Sequence, residues 1–218
     1  MKNHKKDFSN IKNVIFDLDG TLIDSSRSVI KALKIAFAEK LIEPKYKLDK
    51  SIIGPPIDKI IETNLVEEST ALKNEIRKIF IKIYDEKTCC ECRLYPGVYD
   101  TLSFLKKNNI KLFIVTNKRE FPTLKILEDK NLLTYFEEIY SIDSLKNTCN
   151  LKKDIIKKLI LKSQLNCDSF IYIGDTMSDY EACLYNKIRF LFASYGYGRK
   201  KGEDIQEIES LQEVRLFF

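Results

Sequence analysis

Apolar residues fall along this chain in two regimes. Five short runs rich in β-branched and aromatic side chains, Val14 to Asp17, Lys111 to Thr116, Glu138 to Ile142, Phe170 to Gly174 and Ile188 to Ala193, read as buried strands. Between the later runs lie stretches of helical length, Val98 to Lys107, Pro122 to Lys130, Leu151 to Ser163 and Ser178 to Tyr185. The alternation predicts an α/β fold, a parallel sheet with helices on both faces. From about 25 to 92 it stops. There Val29, Leu33, Phe37 and Leu41, then Leu72, Ile76, Ile79 and Ile83, recur at helical spacing without a convincing strand, which predicts an inserted helical domain. Gly54-Pro55-Pro56 marks a turn inside it and Tyr95-Pro96-Gly97 the return to the main domain. The division expected is a core of 1–24 and 93–218 with a helical domain at 25–92.

A length of 218 residues suits one main domain carrying a smaller one, and 44% hydrophobic residues suffice for a core. Apolar stretches such as Phe170 to Ile173 and Phe190 to Ala193 fall far short of the roughly 20 residues a membrane helix needs. The basic start (Lys2, Lys5, Lys6) has no apolar signal region after it, so a cytoplasmic protein is expected. Six cysteines, at 89, 90, 92, 149, 167 and 183, are too sparse for a disulfide scaffold and suit a reducing compartment. Cys89, Cys90 and Cys92 cluster, but a zinc site would need a fourth ligand, and the sole histidine, His4, lies in the tail. The net charge of +5 is mild and its lysines dispersed, so nucleic-acid binding is not implied.

The residues that could carry chemistry follow the strands. Asp17-Leu18-Asp19-Gly20-Thr21 begins where the first strand ends, and that end of an open α/β sheet is where ligands bind. Residues two apart in extended chain point the same way, so Asp17 and Asp19 can face one reacting centre, one as nucleophile and one moving a proton; Gly20 lets the chain turn. A turn followed by a helix cap would use the same residues. Gly174-Asp175-Thr176-Met177-Ser178-Asp179 follows another strand. Ser178 with Glu181 matches a capping box there, but Asp175 and Asp179 would raise the local count to four carboxylates, untenable without a cation. An all-oxygen site fits Mg²⁺. Thr116-Asn117-Lys118 closes a third strand with a hydroxyl and free N–H groups able to hold phosphate oxygens. Lys152 opens a helix, where an ammonium would offset repulsion between a phosphate and an aspartate.

In this order, these four groups resemble the motifs of the haloacid dehalogenase superfamily over about 13 to 199. The resemblance implies a Rossmann-like core with a helical cap inserted after the first motif. It implies that Asp17 is a nucleophile forming an aspartyl-phosphate and Asp19 the general acid and then base. Thr116, with Asn117, Gly20 and Thr21, would bind the substrate, and Lys152 would be the active-site lysine, with Lys153 a rival because many members have Pro there. Asp175 and Asp179 would hold Mg²⁺ with the Asp17 carboxylate and the Asp19 backbone carbonyl. The segments Ile52 to Ile57, Thr116 to Lys118 and Ser194 to Gly198 are similar to those of phosphoglycolate phosphatases, so hydrolysis of a small phosphorylated metabolite leads. Arg27, Lys31 or Lys59 are the cations available for its carboxylate. A sugar-phosphate mutase of the same superfamily is the nearest enzymatic rival, but Ser51-Ile52-Ile53 before Gly54 lacks the arginine that the resemblance to such caps implies. A phosphonate hydrolase would use Lys59 as its Schiff-base lysine. A pyrophosphatase and a catalytically idle binding protein remain alternatives, and a monomer or homodimer is expected.

Overall fold

The computed structural model describes residues 8, 10–65, 69–144, 151–202 and 205–218; His4 and Cys149 lie outside them. In chain order the elements are β1 (Asn13–Phe16), β2 (Ile23–Asp24), α1 (Ser26–Glu39), α2 (Ile57–Asn64), α3 (Thr70–Ile83), β3 (Arg93–Leu94) and α4 (Val98–Lys107). They continue as β4 (Lys111–Val115), α5 (Glu120–Asp129), β5 (Glu138–Tyr140), α6 (Lys152–Ser163), β6 (Phe170–Gly174), α7 (Met177–Asn186), β7 (Arg189–Ala193) and β8 (Glu207–Ile208). Six strands form one sheet in the order β5-β4-β1-β6-β7-β8, and every pairing in it is parallel. The fold is therefore α/β with a parallel sheet. β1 lies inside it, between β4 and β6, so the chain winds away from β1 in both directions and opens a crevice at its carboxyl end.

Period-two alternation splits the sheet residues between two cores. Val14 and Phe16 of β1, Leu112 and Ile114 of β4, and Ile171 and Ile173 of β6 join the apolar faces of α4 and α5. The intervening Ile15, Phe113, Val115, Phe170 and Tyr172 pack instead against Ile155, Ile156, Leu159 and Ile160 of α6 and Ala182 and Cys183 of α7. Asp17 continues the parity of Ile15, so it faces the layer to which α6 and its first residue Lys152 belong.

The helical stretch lies between β2 and β3, which pair antiparallel, Ile23 with Leu94 and Asp24 with Arg93, and bring its two ends together. Leu33 and Phe37 of α1 share a core with Ile76 and Phe80 of α3. The expected apolar stripe overruns its helix at Leu41. α1 ends at Glu39, and Leu41 adopts φ 55° and is 95% exposed, because the chain turns off the helix axis before it can pack. After α3 the backbone widens into a π-helical turn at Tyr84–Thr88, and this turn seats on the start of α5 through a forked ion pair from Arg119 to Asp85 at 2.5 and 3.0 Å. Cys90 of the next turn lies against the Lys125 carbonyl. Among the described residues no helix is long and apolar enough to cross a membrane.

Candidate active site

Asp17 leaves the central strand almost buried, at 6% exposure. Its Oδ1 accepts from the Leu18 N–H at 2.8 Å, while Oδ2 lies 3.2 Å from Lys152 Nζ. Lys152 also donates to Asp179 Oδ1, so one buried ammonium joins a carboxylate at the end of β1 to one in the first turn of α7. Lys153 instead lies over the Tyr185 ring, 4.9 Å from its centroid; Lys152 is the lysine that reaches Asp17.

Asp179 is saturated. Its Oδ2 accepts from the Thr176 N–H and hydroxyl at 3.0 and 2.7 Å, and its own N–H donates to Thr176 Oγ1. The capping box of α7 is thus Thr176 with Asp179, not Ser178 with Glu181. The helix starts at Met177, so the first residue placed to cap it is Thr176. Asp175 differs. Its Oδ2 accepts from the N–H groups of Tyr197 and Gly198, but Oδ1 is buried and has no hydrogen-bond partner. The backbone closes around it: Gly20 holds φ 81°, and a Cβ there would stand 2.1 Å from Asp175 Oδ2.

Oxygens of Asp17, Asp175 and Asp179 lie within 4.8 Å of one another. Burial raises the Asp17 carboxyl from 3.8 to about 8 against the pull of Lys152, with Asp179, Asp175 and Asp19 pushing it further. Burial likewise raises Asp175 from 3.8 to about 6. Burial lowers the Lys152 pKa, but Asp17 and Asp179 outweigh it and keep the amine charged. Three buried acids beside one ammonium, with an orphaned carboxylate oxygen among them, form a donor set that a hard divalent cation satisfies.

A pH dependence follows from the raised carboxyls. They bind protons in the folded chain that the unfolded chain has lost, so their contribution to stability falls as pH rises from about 4 towards 8. In chelator, the thermal midpoint is expected to drop between pH 5 and 8; a midpoint that climbed over that range in calorimetry would contradict the buried-acid cluster.

Asp19 turns away from these acids. Its Oδ1 accepts from the Ser25 hydroxyl, and Oδ2 lies 3.0 Å from Lys118 Nζ. Lys118 also donates to the Tyr84 hydroxyl at 2.7 Å. Thr116 is buried and its Oγ1 accepts from the Lys118 N–H at 3.2 Å, leaving the hydroxyl proton to donate; Asn117 beside it is exposed. Thr21 is buried with its Oγ1 unpartnered. Tyr197 ties the loop after β7 to the start of α1, its hydroxyl bonding Asp24 at 2.9 Å and the Ser25 N–H at 2.7 Å. Burial raises the Asp24 pKa, but hydrogen bonds from Ser26, Tyr197 and Lys50 outweigh it and hold the carboxyl down at about 2.

The cations offered by the sequence for a substrate carboxylate are all exposed. Lys31 pairs with Glu91 and Lys59 with Glu62, both lysines exposed, and exposed Arg27 lines a 590 Å³ open hollow with Lys34, Leu48 and Lys50. Lys118 and Tyr84 were not singled out as site residues, and a lysine directly after Thr116-Asn117 was the only signal for them.

Residues 14–193 match the family model described as haloacid dehalogenase-like hydrolase. A phosphoglycolate phosphatase from Nitrosospira multiformis is 29% identical over 91% of this chain and 89% of its own length. One from Photobacterium profundum is 31% identical over 88% and 87%. A haloacid dehalogenase-like family protein from Streptococcus pneumoniae superposes with a TM-score of 0.84 at 26% identity, covering 96% of this chain and 99% of that one.

Proposed function

The chain belongs to the haloacid dehalogenase-like hydrolases, and from that premise we propose that it is a Mg²⁺-dependent phosphatase of the cytoplasm acting on a small phosphorylated acid through an aspartyl-phosphate on Asp17. The observation that carries the reading is the Asp17 carboxylate, held at the carboxyl end of the central strand with Lys152 at 3.2 Å and the orphaned Asp175 oxygen beside it. The names of the relatives at 29% and 31% identity support phosphoglycolate-like substrates. Residues 25–92 would be the cap, and 1–24 with 93–218 the core.

In this reading an Asp17 oxygen attacks phosphorus, the bond to the ester oxygen breaks, and the Asp19 carboxyl gives that oxygen its proton. Asp19 then takes a proton from the water that attacks the aspartyl-phosphate, freeing phosphate and regenerating Asp17. Lys152 offsets the charge of the phosphoryl oxygens, and Thr116, Asn117, Gly20 and Thr21 supply hydroxyl and N–H donors to them. Asp17 and Asp175, with the Asp19 backbone carbonyl and Asp179 behind, would hold Mg²⁺, which when bound neutralises the phosphoryl oxygens.

Phosphate release from phosphoglycolate, sugar phosphates, nucleotides and pyrophosphate, in Mg²⁺ or EDTA, tests this. Release in Mg²⁺ that EDTA abolishes, greatest with phosphoglycolate, is the expected result. No release from any compound would overturn it in favour of a sugar-phosphate mutase or an idle binding protein.

A further inference from the structure

We propose that Lys118, backed by Tyr84, selects the substrate by binding an anionic group that the leaving group carries within two or three bonds of the ester oxygen, which restricts the enzyme to phosphate esters of short hydroxy acids. The inference rests on the phosphatase reading above and adds to it the residue that reads the leaving group.

Position is the first argument. Asp19 is the proton donor to the leaving oxygen, so that oxygen must come within about 3 Å of the Asp19 carboxyl. Lys118 Nζ is 3.0 Å from Asp19 Oδ2, which puts the ammonium within about 6 Å of the ester oxygen. Across a two-carbon acid a carboxylate oxygen stands about 3 Å from the ester oxygen, so it can reach the ammonium at hydrogen-bond distance. A charge farther along a longer leaving group would pass it.

The donor count is the second. A lysine has three N–H donors, and among the described residues Lys118 uses one on Asp19 and one on Tyr84, leaving a third for a ligand. Its side chain is 8% exposed, so water screens the charge little, and a pairing made there is far stronger than one on the surface. The other cations offered by the sequence, Arg27, Lys31 and Lys59, are all exposed, and Lys31 and Lys59 are paired with Glu91 and Glu62.

The seam is the third. Lys118 comes from the turn after β4 and Tyr84 from the π-helical turn after α3, and the ammonium also lies 4.8 Å from the centre of the Tyr84 ring. An anion bound to Lys118 therefore lies at the seam between the turn after β4 and the turn after α3, which the Lys118–Tyr84 hydrogen bond already joins.

The test is kcat/KM in Mg²⁺ for phosphoglycolate and for ethyl phosphate, whose leaving group has the same number of carbons and no charge. The wild-type chain is expected to favour phosphoglycolate by at least about 100-fold. In Lys118→Met that ratio should collapse to below about 5, whatever the absolute rates, whereas Lys118→Arg should retain part of it. Tyr84→Phe should lower the ratio by about 3- to 10-fold, through KM more than kcat. Rates for both esters falling in parallel in Lys118→Met, with the ratio preserved, would show that Lys118 only positions Asp19 and would overturn the proposal. So would a wild-type chain with no preference. If Lys118→Met does not fold, product inhibition of the wild type decides: glycolate must inhibit at least about tenfold better than ethylene glycol, and equal inhibition refutes the anion site. A wild-type chain that releases phosphate from no ester at all defeats the phosphatase reading itself, and this proposal with it.

Discussion

Replacing Asp17 by Asn is expected to cut phosphate release by at least about 10⁴-fold while leaving the thermal midpoint within about 4 °C of wild type. The two halves of the result have separate causes. An amide is nearly isosteric with the carboxylate and its oxygen can still accept from the Leu18 N–H, but it is too weak a nucleophile to form the aspartyl ester. The fold survives because Asp17 contributes little net stability. Burial and the neighbouring Asp179, Asp175 and Asp19 raise its carboxyl to about 8, so near neutral pH it is mostly uncharged without a cation, and Lys152 keeps Asp179 as a partner. The variant gives up the contact with Lys152 at 3.2 Å and also the cost of ionising a buried carboxyl, effects that oppose each other. Phosphate release and calorimetry on the same preparation check both halves. Residual turnover above about 1% of wild type would remove Asp17 from the role of nucleophile.

That contrast could be drawn from the sequence because the acids follow its most legible elements. The runs at Val14, Lys111 and Phe170 are short, apolar and β-branched, and buried parallel strands have no other way to look. Once they are strands, Asp17, Thr116 and Asp175 stand at their carboxyl ends by counting alone. The two-residue pairing of β2 with β3 is different: it joins Ile23 to Leu94 across the whole helical stretch, and no local pattern announces a partner that far away. The cap of α7 lies two residues before the one its sequence suggests, since Thr, Ser and Asp all suit that position and only the backbone decides where the helix begins. Lys118 was hidden by abundance. With 37 Lys and Arg residues in the chain, composition does not distinguish a lysine buried against Asp19 from one on a solvated helix face, and only its place directly after Thr116-Asn117 at a strand end marks it. The loop from Ser194 to Gly198 stood out by resemblance, but its work, holding Asp175 Oδ2 through the Tyr197 N–H at 2.7 Å, is visible only once β7 has brought it alongside β6.

Replacing Lys152 by Met inverts the Asp17 result. Activity should fall by at least about 10³-fold, and stability should fall too, by about 3–5 kcal/mol, because the ammonium is the cation that the buried cluster shares. Removing it leaves Asp17 beside Asp179 with nothing between them, and Asp179 Oδ1 then keeps only the Tyr172 hydroxyl at 3.5 Å, too long for a strong bond. Two features separate this cause from a mere packing defect. The loss should shrink as pH falls from about 9 to about 6, because Lys152 holds both raised carboxyls down and without it they take up their protons at a higher pH than in the wild type. Adding Asp179→Asn should restore much of the stability and none of the activity, since an amide keeps the Thr176 cap while removing one of the stranded charges. Denaturation of the single and double variants at both pH values checks this. A loss independent of pH, and not relieved by the second substitution, would mean that Lys152 acts through its methylene stem, and that the charge balance argued for Asp17 is wrong as well.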